Sequence, residues 1–261
     1  MATGGGGLIG PPEERASYVP LLRLLLVVAV AATGLVALWA LGFLDLILRS
    51  DHTRISLVIF AILVGTTLHC LYQTTVVSRE LIAARRVRQI LEAEHGSALV
   101  AGPDGVATAQ GTRLPPGIIT THIATLIRKR DLQAGGRLDQ GLLLRLLADR
   151  LRGRERLGLF ISEALLRLAL LGTAIGFILM LIPISALTSF DADTLRGALG
   201  GMTSGMAIAL NVTVTGIASA LLLKLAYYLL DMAIVELFDS IAETTEIYVV
   251  SALERDADAR S

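Results

Sequence analysis

The apolar positions of this chain come in long unbroken runs and show no strand-like alternation. Four windows carry no Asp, Glu, Lys or Arg: Leu24–Leu44, Ile55–Ser78, Leu168–Phe190 and Gly197–Leu223. Each has about 20 residues or more, the length a helix needs to cross a hydrocarbon core roughly 30 Å thick. The pattern predicts an all-α integral membrane protein of four transmembrane helices with long cytoplasmic helical extensions. The missing alternation argues against a β-barrel. The expected order is a flexible Gly/Pro leader over 1–17, spans 1 and 2 within 18–78, and a cytoplasmic helical loop over 79–156. Spans 3 and 4 follow within 157–230, and then a cytoplasmic carboxy-terminal helix over 231–261. The first window is read as a span and not as a cleavable signal: it is long, no small-residue cleavage site follows, and a second span comes after a very short connector.

Outside the windows the period changes. In 139–168 leucines recur at three- and four-residue steps with arginines on the other face, which predicts a helix running without a break into span 3. Asp139 is its expected N-cap. Span 2 is expected to continue to Gly96, and "GPDGVATAQGTRLPPG" is expected to be irregular. After span 4, Leu230, Ile234, Leu237, Ile241 and Tyr248 form one stripe of an amphipathic helix.

Charge sets the orientation. Residues 74–156 hold 14 of the 23 basic residues against 8 acidic ones, whereas the connectors 45–54 and 187–197 carry three basic residues between them. The long loop is therefore expected on the cytoplasmic side, with both termini. Residues 224–261 hold eight acidic and three basic residues, so this tail is expected to pack beside the basic helices around Arg79–Arg88 and Arg145–Arg156, or to present a solvated face of its own. Formal net charge is zero and mean hydropathy is +0.68; no whole-chain footprint for nucleic acid exists. One cysteine, Cys70, excludes an internal disulfide and a multi-cysteine metal site, and no metal or cofactor is expected. No Ser–His, Asp–Asp or His–Glu set occurs in the spans, so the chain does not read as an enzyme.

The spans hold few polar groups, and these cluster. Thr173 sits between Gly172 and Gly176, and Asn211, Thr213 and Thr215 precede Gly216. Thr173 lies 20 positions before Asp193 and Thr213 lies 20 after it, so two equal antiparallel arms place both at one depth. Gly172 and Gly176 on span 3, and Gly205, Ala209, Gly216 and Ala220 on span 4, supply the small residues by which membrane helices approach closely. Each threonine can satisfy itself on a carbonyl near Ala169 or Ala209, and Asn211 can serve as interhelical glue. No span carries an ionisable acid or base centrally, so ion passage would need a carboxylate from another chain. His69, near the end of span 2, is expected to be hydrogen-bonded.

"ALLGTAIGF" and "GMAIALNVTVTGIASALLLKLAYY" resemble the third- and last-span motifs of the MotA/TolQ/ExbB proton-channel family, over roughly 150–235. The four-span plan with a large loop between spans 2 and 3 is similar to the flagellar stator subunit. The resemblance implies a homopentamer in a bacterial inner membrane around a single-span MotB/ExbD/TolR-like partner with a membrane aspartate. Transported H+ or Na+ would then drive mechanical work, with Thr173 and Thr213 aligned with the family's pore-side hydroxyls, and Thr215 and Asn211 beside them. Where TolQ- and ExbB-like members have a last-span Glu, this chain has Ile208, and Leu222 stands in the place of a frequent proline. A non-conducting oligomeric scaffold that recruits a cytoplasmic partner or anionic lipid is the alternative.

Overall fold

A computed structural model describes residues 19–40, 54–94, 99–102, 105–133, 138–185 and 191–258. The expected leader 1–17, nearly all of the connector 45–54 and residues 187–190 of the connector 187–197 lie outside these; past Asp191 the second connector already belongs to the next helix. The described chain is helical apart from one small hairpin. Its elements are α1 (Val19–Ala40), α2 (Ile55–Ala93), β1 (Leu99–Gly102), β2 (Gly105–Thr108), α3 (Ile118–Leu132), α4 (Gly141–Ser185) and α5 (Ala192–Thr244). A π-helical turn (Thr245–Val250) and α6 (Ser251–Asp258) complete the order. Three helices, α2, α4 and the run that begins with α5, are long and apolar enough to cross a membrane. Among the described residues α1 contributes a further apolar helical stretch, Leu22–Gly34.

The chain divides into two compact units. The first comprises Met1–Leu22, Gln73–Arg154 and Leu230–Ser261; the second comprises Arg23–Tyr72 and Glu155–Leu229.

In the first unit, α2 buries Val77, Leu81, Ala84, Val87 and Leu91, a three- and four-residue stripe. Its basic residues lie outside that stripe. Arg85 pairs with Glu236 of α5 at 2.8 Å, and Arg88 with Glu243 at 3.4 Å. The acidic tail thus meets the basic end of α2, one of the two alternatives its charge left open. The tail's own stripe buries Leu230, Ile234, Leu237 and Ile241 as expected, but then Val249 at 0% exposure in place of Tyr248. The correction has a local cause. The Thr245 hydroxyl lies 2.8 Å from the Ile241 carbonyl, the π-turn takes one more residue per turn than an α-turn, and every later residue rotates. Tyr248 instead donates to Glu92 at 3.0 Å.

Further along, the segment expected to be irregular holds an antiparallel hairpin, with Leu99 opposite Thr108 and Gly102 opposite Gly105. Gly105 takes φ +117° at the turn, a conformation open mainly to glycine. The hairpin packs on α3, burying Leu99, Val106 and Leu114. Helix α3 starts where Glu80 of α2 accepts a 2.7 Å hydrogen bond from the Ile118 amide, a carboxylate at the positive helix end. Helix α4 starts one residue later than expected: Gln140 takes the N-cap position, its carbonyl accepting from the Leu144 amide at 3.0 Å, and Asp139 just before it accepts from the Gly141 amide at 2.8 Å.

In the second unit large buried side chains such as Ile59, Leu165, Leu223 and Tyr227 sit beside many small ones, and much of the bulky apolar surface faces outward. Small or compact residues such as Cys70, Ala169, Val212, Ala220 and Ala226 are buried. Leu170, Phe177, Ile178, Leu210, Val214 and Leu221 are each more than half exposed. Water penalises such a surface, and a hydrocarbon solvent does not.

Candidate functional site

The second unit is organised by a seam between α4 and α5, which run antiparallel. Opposed pairs along it are Ala169 with Gly216, Gly172 with Val212, Gly176 with Ala209, Met180 with Gly205, and Pro183 with Gly201. A methyl at Gly205 would lie 2.5 Å from the Met180 backbone nitrogen, and one at Gly176 would lie 2.7 Å from the Ala209 nitrogen. Backbone thus meets backbone, which only glycine permits. Ala220 extends the seam: its carbonyl accepts from Ser162 at 3.4 Å. All six predicted packing residues, Gly172, Gly176, Gly205, Ala209, Gly216 and Ala220, lie on this line. Gly158 continues it against the Tyr227 ring.

The register fixes the depth of the hydroxyls. Because Gly172 faces Val212, Thr173 and Thr213 stand at one level. Each lies 100° past a seam residue on its own helix. With the helices antiparallel, those two rotations turn toward the same flank, so the hairpin brings the pair together in depth and in direction. Exposed Phe177 and Ile217 share that flank. Asn211 and Thr215, one turn apart, fall on the opposite flank. Further along α5 the Cys70 thiol of α2 lies 3.6 Å from the Ala226 carbonyl. The four expected pathway residues therefore separate into two pairs.

The hydroxyl protons are already engaged. Thr173 donates to the Leu170 carbonyl at 2.6 Å, one residue off the expected Ala169, and Thr213 donates to Ala209 at 2.8 Å. What each oxygen still offers is acceptor capacity, the chemistry that receives a proton or coordinates a cation. His69 Nδ1 lies 2.9 Å from the Tyr227 hydroxyl, so the expected hydrogen bond is present and its partner is a residue the sequence did not single out.

A second polar cluster, in the first unit, escaped the sequence altogether. Buried His122 of α3 has a hydrogen-bonding contact with Gln140, and burial holds its pKa below the ordinary histidine value, that contact opposing the shift. The Gln140 amide donates to Glu246, and its oxygen lies 3.0 Å from the Thr245 hydroxyl. These residues come from three separated stretches, and no local spacing connects them. Among the described residues, no group of three or more His, Cys, Asp or Glu side chains is placed to hold a metal.

No protein-family model matches the chain, and no curated protein or solved structure matches it.

Proposed function

We propose that this chain is the ring-forming subunit of an ion-driven channel or motor. In this reading α1 completes a set of four spans in a bacterial inner membrane, with both termini and the 79–156 loop cytoplasmic. Several copies, five by the resemblance of the motifs, surround a single-span partner that carries the membrane aspartate. The carrying observation is the placement of Thr173 and Thr213 at one depth on one exposed flank of the hairpin. Repeated around a ring, that pair becomes a belt of acceptor oxygens. The charge-free centres of the spans fit a ring that borrows its acid: the partner's protonated carboxyl can donate a hydrogen bond to these oxygens, and a hydroxyl relays that proton only by passing its own to the next acceptor. The chain itself then makes and breaks no covalent bond beyond proton transfer.

Thr213→Val keeps the side-chain shape and removes the hydroxyl. The ring is expected to assemble, with stability lowered by no more than about 1 kcal/mol. Proton flux into liposomes holding ring and partner is expected to fall to the level of an Asp→Asn partner. Full flux in the Thr213→Val ring removes this residue from the pathway.

One observation favours the scaffold reading: both threonine protons are satisfied on carbonyls of their own helix, as they would be in a helix that only packs. An assembled ring and partner that conduct no more than protein-free liposomes, with the partner aspartate intact, would establish the scaffold.

A further inference from the structure

In the first unit a cavity of about 550 Å³ lies between α3 and the amino-terminal part of α4, with Glu80 of α2 at its edge. Its wall combines apolar side chains, Leu143, Leu147 and Leu151 among them, with Arg150, Arg154 and His122. The volume is that of a small organic ligand.

Two polar atoms of this wall are buried with nothing bonded to them, His122 Nε2 and Arg154 Nη1. His122 is only 7% exposed. An orphaned buried donor costs about as much as a lost hydrogen bond, so native structures seldom keep one without a reason. Glu80 accepts from the Ile118 amide at Oε2 and makes no hydrogen bond with either of these atoms. The Gly117–Ile118 start of α3 also borders the cavity, its positive end already met by Glu80. Two guanidinium groups against one carboxylate leave the wall net positive. A guanidinium can only donate, and the imidazole donates at Nε2 in one tautomer or when charged. The missing group must accept from several directions at once, which a tetrahedral oxyanion does better than a planar carboxylate. The leucines of the wall require that the anion carry an apolar body.

We propose that this cavity binds a phosphate monoester, its oxyanion held by Arg154, Arg150 and His122 and its apolar part lying on Leu143, Leu147 and Leu151. The same chemistry is offered by a soluble phosphate ester and by the headgroup of phosphatidic acid. This site is separate from the α4–α5 seam, so it stands or falls independently of ion conduction.

The test uses the full chain in phosphatidylcholine nanodiscs, with phenyl phosphate and inorganic phosphate as probes and binding read by calorimetry and phosphorus NMR. Saturable binding of phenyl phosphate is expected, tighter than that of inorganic phosphate. Arg154→Gln and Arg150→Gln are each expected to weaken it by about tenfold, the scale of one charge-assisted hydrogen bond. Arg145→Gln, an exposed arginine of α4 outside the cavity, is expected to leave it unchanged. Arg150 is itself exposed, so its variant folds even where removing Arg154 does not. Absence of binding by both probes overturns the proposal. So does equal weakening by Arg145→Gln, or indifference to Arg150→Gln. In nanodiscs containing phosphatidic acid, displacement of phenyl phosphate identifies the headgroup as the natural source, and undiminished binding identifies a soluble ester.

Discussion

Gly205→Ala is the sharpest test of the α4–α5 seam. The added methyl would stand 2.5 Å from the Met180 nitrogen, 2.6 Å from its Cα and 2.9 Å from the Gly176 carbonyl oxygen. All three obstacles are backbone, so no side chain can swing aside. Relief requires the two helices to part by about 1 Å, since comfortable contacts begin near 3.5 Å. A gap of that size forfeits up to about half of the dispersion energy of every contact along the line. Overpacking of this kind costs about 1–3 kcal/mol, and the upper end applies where nothing flexible yields. Against it stands the better helix propensity of alanine, worth about 1 kcal/mol. The net expectation is a loss of about 2 kcal/mol, roughly a thirtyfold shift in the folded-to-unfolded ratio. Gly200 supplies the internal control. It lies on the same helix with nothing within 4 Å of an added methyl, so Gly200→Ala should be neutral or slightly stabilising. Reversible unfolding in mixed micelles measures both. If Gly205→Ala matches or exceeds Gly200→Ala in stability, the helices are not in backbone contact there and the close seam is refuted.

Three further outcomes are expected. Burial lowers the His122 pKa, so at low pH the unfolded chain takes up this proton before the folded one does. Stability is flat with respect to this group above its ordinary pKa of about 6.5 and falls at lower pH, by at most about 1.4 kcal/mol per pH unit; His122→Gln should flatten that part of the wild-type curve, and an identical acid limb in the variant would show that His122 contributes nothing. Val249→Ala should destabilise by about 2 kcal/mol and Tyr248→Ala by clearly less, as chemical unfolding will show; the reverse order would mean the tail has no π-turn. The Arg85–Glu236 pair is partly exposed, at 29% and 47%, so a double-mutant cycle should give a coupling below about 1 kcal/mol that shrinks as salt is raised.

Much of the long-helix architecture was legible because it obeys local rules. Charge-free length marks α2, α4 and α5. The continuation of α4 back to Gly141 follows from leucine spacing, and the seam follows from glycine and alanine at helical steps. The shared depth of Thr173 and Thr213 needed only counting from Asp193. Their separation from Asn211 and Thr215 was implicit in the 100° rotation per residue, but it became visible only once the seam fixed which face of α5 points at α4. The remainder depends on non-local contacts or on a local break in the helical period. The 99–108 hairpin is too short and too rich in Gly and Ala for alternation to betray it, and packing on α3 supports it. The π-turn at Thr245–Val250 interrupts an otherwise regular helix at a point that no residue spacing announces. The pairing of His69 with Tyr227 and the His122 cavity join residues more than 20 positions apart, which no periodicity records.

The glycine and alanine seam has an entropic consequence. In a bilayer each helix is already formed before it meets its neighbour, so docking freezes little backbone. Burying glycine or alanine also freezes no rotamers, whereas every leucine in a conventional interface surrenders about 0.5–1 kcal/mol of side-chain freedom. The hairpin therefore closes with almost no loss of disorder in the chain, and its association should vary little with temperature. Its bulky side chains remain free to reorganise on the outer surface, where lipid or another subunit meets them.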